Sequence, residues 1–173
     1  RVQRTFGKIR ASLNGALNYN KINQFIQNQK SINEGYTQTL TPGIRTNFKV
    51  APNINLRYRY SIVKNKLGSK ETKFIIKSPS IEFDAYIIEK FTFVTNYSYT
   101  TQEIETESQS FQNWDASLTY RQHKDAKWEF ELKASNILNI DVQVRNSANN
   151  LSVLNTQTFI QPRFITFRGV YNL

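Results

Sequence analysis

The side chains of this sequence that could do chemistry are mostly cations. Arg10, Arg45, Lys49, Arg57 and Arg59 each alternate with apolar neighbours, so in extended chain they gather on one polar side. Such a group would hold acidic residues of an inserted segment or steer an anionic substrate. The plainer alternative is that Arg57 and Arg59 pair across strands with Glu82 and Asp84. Lys64, Lys66, Lys73 and Lys77 fall on the opposite, apolar side, where ammonium groups suit phosphate as point charges or make a solvated basic hairpin. Glu103, Glu105 and Glu107 recur at every second position, a spacing that would offer calcium several oxygens; a solvated acidic loop is the simpler expectation. The lone His123 sits among Lys and Asp, with no Ser or carboxylate placed by a motif to complete a triad. No catalytic residue, metal site or cofactor is therefore expected.

These side chains need elements to position them, and composition limits what those elements are. The 173 residues contain no Cys and one His, which removes disulfides, thiolate metal sites and His clusters. Lys and Arg number 23 against 13 Asp and Glu, a net charge of +10 that favours anionic partners. No apolar run approaches the roughly 18 residues of a membrane-spanning helix, and the amino end has no apolar signal core. With no initiator Met, the expectation is a mature product or a piece of something longer. Nine Tyr and twelve Phe, with abundant Thr, Asn, Ser and Ile, make a strand-forming mixture.

Alternation of period two recurs along the whole chain. Ile9, Ala11, Leu13, Leu17 and Tyr19 oppose Arg10, Ser12, Asn14, Asn18 and Asn20. Leu40, Ile44 and Phe48 oppose Thr41, Arg45 and Lys49, and Ile54, Leu56, Tyr58, Tyr60 and Ile62 oppose Asn55, Arg57, Arg59 and Ser61. Similar runs follow near 75–85, 91–100, 113–120, 128–134 and 165–173, with Pro79 marking a bulge or a slip of phase in the fourth. Eight strands in one all-β unit are expected. Connections near 51–53, 87–90 and 122–126 read as short, and those near 27–34, 64–72, 102–109 and 138–156 as longer or more polar.

That asymmetry is the one shown by an antiparallel transmembrane β-barrel, whose periplasmic turns are tight and extracellular loops long. The same apolar side could instead line the core of a soluble β protein. Three features favour lipid. The polar side is rich in Asn, Ser and Thr with interspersed charge, and several runs are longer than soluble strands need. Aromatics also collect towards strand ends: Tyr19, Tyr36, Tyr58, Tyr60, Tyr97, Tyr99 and Trp114 at one, Phe48, Phe91, Tyr120, Trp128 and Tyr171 at the other. In such a membrane, Lys64, Lys66, Lys73 and Lys77 lie at the level of lipopolysaccharide phosphates. Nucleic acid is not expected as a partner, because the aromatics share a side with Leu and Ile while most strand Arg residues lie opposite.

The closing residues 162–173, Pro-Arg-Phe-Ile-Thr-Phe-Arg-Gly-Val-Tyr-Asn-Leu, resemble the final strand of TonB-dependent outer-membrane receptors. There a Pro-Arg pair precedes an alternating strand, here carrying Phe164, Ile165, Phe167, Tyr171 and Leu173; the family usually ends in Phe. Residues 133–139, Lys-Ala-Ser-Asn-Ile-Leu-Asn, resemble the penultimate strand running into an Asn-rich bend, with Ile137 and Leu138 where Leu and Phe are common. The resemblance covers about the last 45 residues. It implies the carboxyl-terminal part of a larger barrel in the cell outer membrane, whose amino-terminal strands and plug lie upstream and which imports a scarce nutrient without being an enzyme. The partners it implies are outer-membrane lipid and lipopolysaccharide, the missing strands and plug, the outer-membrane assembly machinery, and room for a surface lipoprotein. A complete eight-stranded barrel with a structural or adhesive role, and a soluble ligand-binding β protein, are the alternatives.

Overall fold

The computed structural model describes residues 1–26, 29–49, 52–88, 90–104, 107–123, 125–148 and 153–172. Its strands are β1 (Val2–Phe6), β2 (Ile9–Ile26), β3 (Gln29–Thr46), β4 (Asn53–Leu67), β5 (Lys70–Ile87), β6 (Phe91–Ile104), β7 (Glu107–Arg121), β8 (Trp128–Ser135), β9 (Val142–Ala148), β10 (Val153–Phe159) and β11 (Phe164–Tyr171). Nine of them form one antiparallel sheet in the order β1-β2-β3-β4-β5-β6-β7-β8-β11, while β9 and β10 pair as a hairpin of their own.

The sheet keeps one phase from edge to edge. Leu56 faces Ile44 on one side and Ile81 on the other, Ile81 faces Tyr97, and Tyr97 faces Trp114. Phe93, Leu118, Leu132 and Phe167 make a further apolar row across four strands. A slip of one residue anywhere would turn a strand's apolar side over, so this agreement is a property of the whole ladder. Pro79 causes no such slip: the pairing of β4 with β5 runs without a break from Asn53–Asp84 to Leu67–Lys70.

Three expectations are corrected. A short strand, β1, precedes the first expected one, joined to it through Gly7 at φ +59°, a conformation that suits a residue without Cβ. The stretch 138–156 contains β9 and the start of β10 and is not simply a loop. Three of the connections expected to be long are only two residues: 27–28, 68–69 and 105–106 separate β2 from β3, β4 from β5 and β6 from β7. Polar composition ends the apolar stripe there but not the backbone ladder, because Thr, Asn and Lys pair their main chains as well as Leu does.

Among the described residues no second layer covers the sheet. Among the described residues Phe74 is the single buried hydrophobic side chain, and it lies on the polar side, between Val63 and Ile104 on the neighbouring strands. Ser61, also on the polar side, is 1% exposed and shares a 2.8 Å hydrogen bond with Thr39. On the apolar side Leu13, Ile44, Leu56 and Leu132 are exposed, and Phe167 is 70% exposed. The polar side is thus the more sheltered one. The edges β1 and β11 are not paired with each other, so the sheet is open.

The β9–β10 hairpin is inserted between β8 and β11, which stay paired from Ser135–Phe164 to Trp128–Tyr171, and the turn that leads into it holds Asn136 and Asn139, both at positive φ (50° and 54°). Asn136 is buried; its Nδ2 donates to the carbonyls of Ile140 (2.9 Å) and Gln161 (3.0 Å), and its Oδ1 accepts from the Ile140 amide (2.9 Å). Its own amide donates to Asp115 Oδ1 on β7 (2.9 Å), and the Arg163 amide donates to Asn139 Oδ1 (3.0 Å). Both roots of the hairpin are tied to β7 and to the start of β11. Asn136→Ala and Asn136→Gly should each cost about 2–3 kcal/mol, since both strand the same buried main-chain groups. Urea unfolding followed by Trp fluorescence measures this; full stability in the glycine variant alone would assign the residue's role to φ.

Candidate functional site

The polar side is built in rows that cross the strands, and its charges do not all find partners. Among the described side chains of the strands there, every carboxylate is engaged. Glu82 Oε2 accepts from Asn55 (3.1 Å) and Arg57 (3.4 Å), and Asp84 accepts from Asn53 (3.2 Å). Asp115 accepts from Asn113 (3.0 Å) and the Asn136 amide, Glu129 pairs with Arg121, and Glu131 with Arg168 (3.2 Å). Of the expected basic cluster, only Arg57 is neutralised.

Arg10 lies directly opposite Arg45, and both are exposed. Lys49 follows in the exposed β3–β4 connection, and Arg59 faces Ser78 and not Asp84. The structure therefore brings Arg10 and Arg45 to one end of the polar side and leaves Lys49 in the adjoining connection, none of the three with an ion-pair partner among the described residues, and places Arg57 and Arg59 nearer the middle of that side. Two guanidiniums facing each other across a ladder repel, so this end invites an anionic contact.

On the apolar side the four lysines divide. Lys64 faces Lys73, and Lys66 faces Glu71 on one strand and Glu34 on the other. Lys77 Nζ holds Glu103 Oε1 at 2.6 Å, which takes Glu103 out of any calcium set; Glu105 lies outside the described residues. Next to Lys64 stands a tyrosine pair, Tyr36 opposite Tyr19. One row further out Lys21 and Glu34 form a 3.0 Å ion pair. Their shared hydrogen bond, then Coulomb attraction, holds the Glu34 carboxyl below its usual range and raises the Lys21 ammonium.

Aromatic rows bound the apolar stripe. Trp114 Nε1 donates to Thr95 (2.9 Å) and the Tyr97 hydroxyl to Gln112 (3.1 Å), so both polar tips are satisfied. At the other end Phe91 meets Tyr120 and Trp128 meets Tyr171, each with centroids 5.0 Å apart. From Phe91 to Tyr99 along β6 is about 26 Å at roughly 3.3 Å per residue. Of the closing strand, Ile165, Phe167 and Tyr171 stand on the apolar side and the half-buried Phe164 on the other; Leu173 lies outside the described residues. His123 is exposed between β7 and β8, and no group of three potential metal-ligating side chains gathers among the described residues.

Sequence reasoning missed the hairpin clamp. The Asn-x-x-Asn spacing at 136 and 139 was the available signal, since Asn accepts positive φ and bonds nearby main chain. No protein-family model, no curated protein and no solved structure matches this chain.

Neutralising the facing pair as Arg10→Gln/Arg45→Gln removes repulsion and no partner. Folded stability should rise by a few tenths of a kcal/mol, about 0.2–1, read as a shift in the urea midpoint. A loss of stability would mean that a contact of these arginines holds the fold.

Proposed function

We propose that this chain is wall of an outer-membrane β-barrel, the carboxyl-terminal part of a TonB-dependent receptor that imports a scarce nutrient. One observation carries the membrane location: a sheet one layer thick keeps an apolar side in phase across nine strands and leaves it uncovered. Exposed apolar patches of that extent mark contact with a membrane or a partner. Lipid on the apolar side and a wet or plugged lumen on the polar side satisfy both at once. The aromatic rows then sit at the two interfaces.

Strand direction favours a larger barrel over a complete small one. Each neighbour in the nine-stranded order is antiparallel to the last, so β1 and β11 run the same way. Direct closure of one on the other would be a parallel seam. An odd number of further strands restores antiparallel pairing throughout and an even total, as in bacterial single-chain barrels. The sequence of β11 and the preceding Pro162-Arg163, similar to a receptor's closing strand, supports the choice of that family. Arg10, Arg45 and Lys49 are the lumen residues available to an acidic plug.

A lipid-facing charge near the midplane costs about 2–4 kcal/mol. Leu13→Arg and Leu118→Arg should therefore reduce the heat-modifiable, membrane-inserted fraction, while Asn14→Arg on the polar side is tolerated. Equal tolerance at all three positions would remove lipid from the apolar side. Open edges in hydrocarbon leave main-chain groups unpaired at several kcal/mol each. Residues 1–173 expressed alone should thus aggregate or stay bound to assembly factors, and a monodisperse heat-modifiable barrel from them would favour the small complete barrel instead.

A further inference from the structure

One end of the sheet carries a row of lysines. The connections there, 7–8, 47–52, 88–90 and 122–127, contain five lysines (8, 49, 90, 124 and 127) against Glu89 and Asp125. With both acids paired, three positive charges remain. The two-residue connections at the opposite end, 27–28, 68–69 and 105–106, contain no Lys or Arg.

Lys8, Lys90 and Lys127 repeat one arrangement. Each directly precedes a strand, β2, β6 or β8, and its carbonyl accepts from an amide at the end of the neighbouring strand: Asn47 onto Lys8 (2.8 Å), Arg121 onto Lys90 (2.8 Å) and Asn172 onto Lys127 (2.7 Å). The main chain is held there, while each of the three lysines is exposed. Apolar surface is exposed beside each: Phe6 and Ile9 at Lys8, Ile88 at Lys90, Trp128 and Tyr171 at Lys127. Lys127 Nζ lies 5.7 Å from the centre of the Tyr171 ring, the contact of a cation with an aromatic face.

The three lysines also share one level. Arg10 and Asn96 lie in one row, through Arg45, Asn55 and Glu82, yet Lys8 is two residues before the first and Lys90 six before the second. Phe93 and Leu132 share a row through Leu118, with Lys90 three residues before the one and Lys127 five before the other. The end of the sheet is therefore staggered by one residue for each strand crossed. At about 3.3 Å per residue and about 4.8 Å between strands, this stagger brings the lysines level when the strands tilt by about 35°, a tilt that transmembrane barrel strands have.

We propose that Lys8, Lys90 and Lys127 form a collar for the phosphates of the phospholipid leaflet at this end, each ammonium reaching a headgroup from beside an apolar or aromatic anchor. The proposal rests on the membrane reading above and gives the interface at the turn end its lipid contact. Ammonium groups suit phosphate as point charges, and lysine stems lie along apolar surface while the charge stays in water. An acidic protein segment would be met by cations gathered in one place. These are spread across the sheet, about 20 Å from Lys8 to Lys90 and about 10 Å from Lys90 to Lys127, at constant level and next to the aromatic row of Phe91, Trp128 and Tyr171. That distribution matches a plane of headgroups.

The test uses the full-length protein in phosphatidylcholine vesicles, with a fluorophore on cysteine in place of His123 to report Lys127, or in place of Asn47 to report Lys8. Quenching by phosphatidylglycerol spin-labelled at the top of its acyl chain is compared with quenching by phosphatidylcholine carrying the same label. Phosphatidylglycerol should quench more at both positions. Lys127→Gln and Lys8→Gln should each lower the preference at their own reporter about fivefold, equivalent to roughly 1 kcal/mol. Lys133→Gln, which removes the same charge from the polar side of β8, should leave it within about twofold. An unchanged preference at either reporter in an inserted, heat-modifiable lysine variant would overturn the collar and leave these lysines for an acidic protein partner. Failure of the parent protein to float with vesicles would instead overturn the membrane reading, and the collar with it.

Discussion

A sheet one layer thick cannot shelter its own apolar side, and every other feature of this protein answers to that constraint. Burying apolar surface is worth about 25 cal/mol per Å², and layered domains gain it by packing a second sheet or helices on the first. Here each strand's extensive contacts are with its ladder neighbours, and Leu17, Ile165 and Phe167 remain about as exposed as side chains on a strand can be. The compensation has to come from outside the chain. The buried side chains Ser61 and Phe74 accordingly lie on the polar side and not on the apolar one.

Phase is what makes the wall possible. Period-two alternation in one strand is a weak fact, since a single strand tolerates a few misplaced residues. Agreement across eight ladders is a strong one, because each register must be chosen so that the stripes meet. Pro42 and Pro79 test this most severely. They remove donors from two ladders, yet the pairings on either side of each gap keep the same offset, and hydroxyl contacts such as Ser78–Thr100 bridge on the wet side. A missing hydrogen bond is thereby converted into a local opening and not into a slip.

Much of this was legible in the residues themselves. The faces of β2, β4, β6 and β7 follow directly from Leu13 against Asn14, Leu56 against Arg57, Phe93 against Thr92 and Leu118 against Thr119. Strand ends were not legible, because hydropathy reports what a side chain faces and the ladder is made by main chain. Hence the arms of β2 and β3 continue past Tyr19 and Tyr36 through Lys21 and Glu34, where a polar loop was expected. Short β1 was missed for want of length, and the β9–β10 hairpin because its polar stretch resembled a connection. The basic cluster was only half legible: the pairing of Arg57 with Glu82 could be read from the sequence, but not that Arg59 would face Ser78 and Arg10 would face Arg45.

The two ends of the sheet consequently differ in kind and not merely in loop length. Past the tyrosine row the arms of β2 to β5 carry Lys21, Glu34, Lys66 and Glu71 in alternating sign across four strands, a row that satisfies itself in water. One row deeper the charges cease to alternate, and Lys64 stands opposite Lys73 beside Tyr36. At the other end, on the polar side, Arg10 opposes Arg45. A sheet evolved only to be soluble would gain by alternating sign in all three rows, as it does in the first. An anion supplied from outside the chain would stabilise such like-charged rows, and here one row lies on the apolar side and the other on the polar side. The charge pattern thus leaves room for anionic contacts at two places, one on each side of the sheet and near opposite ends of its strands.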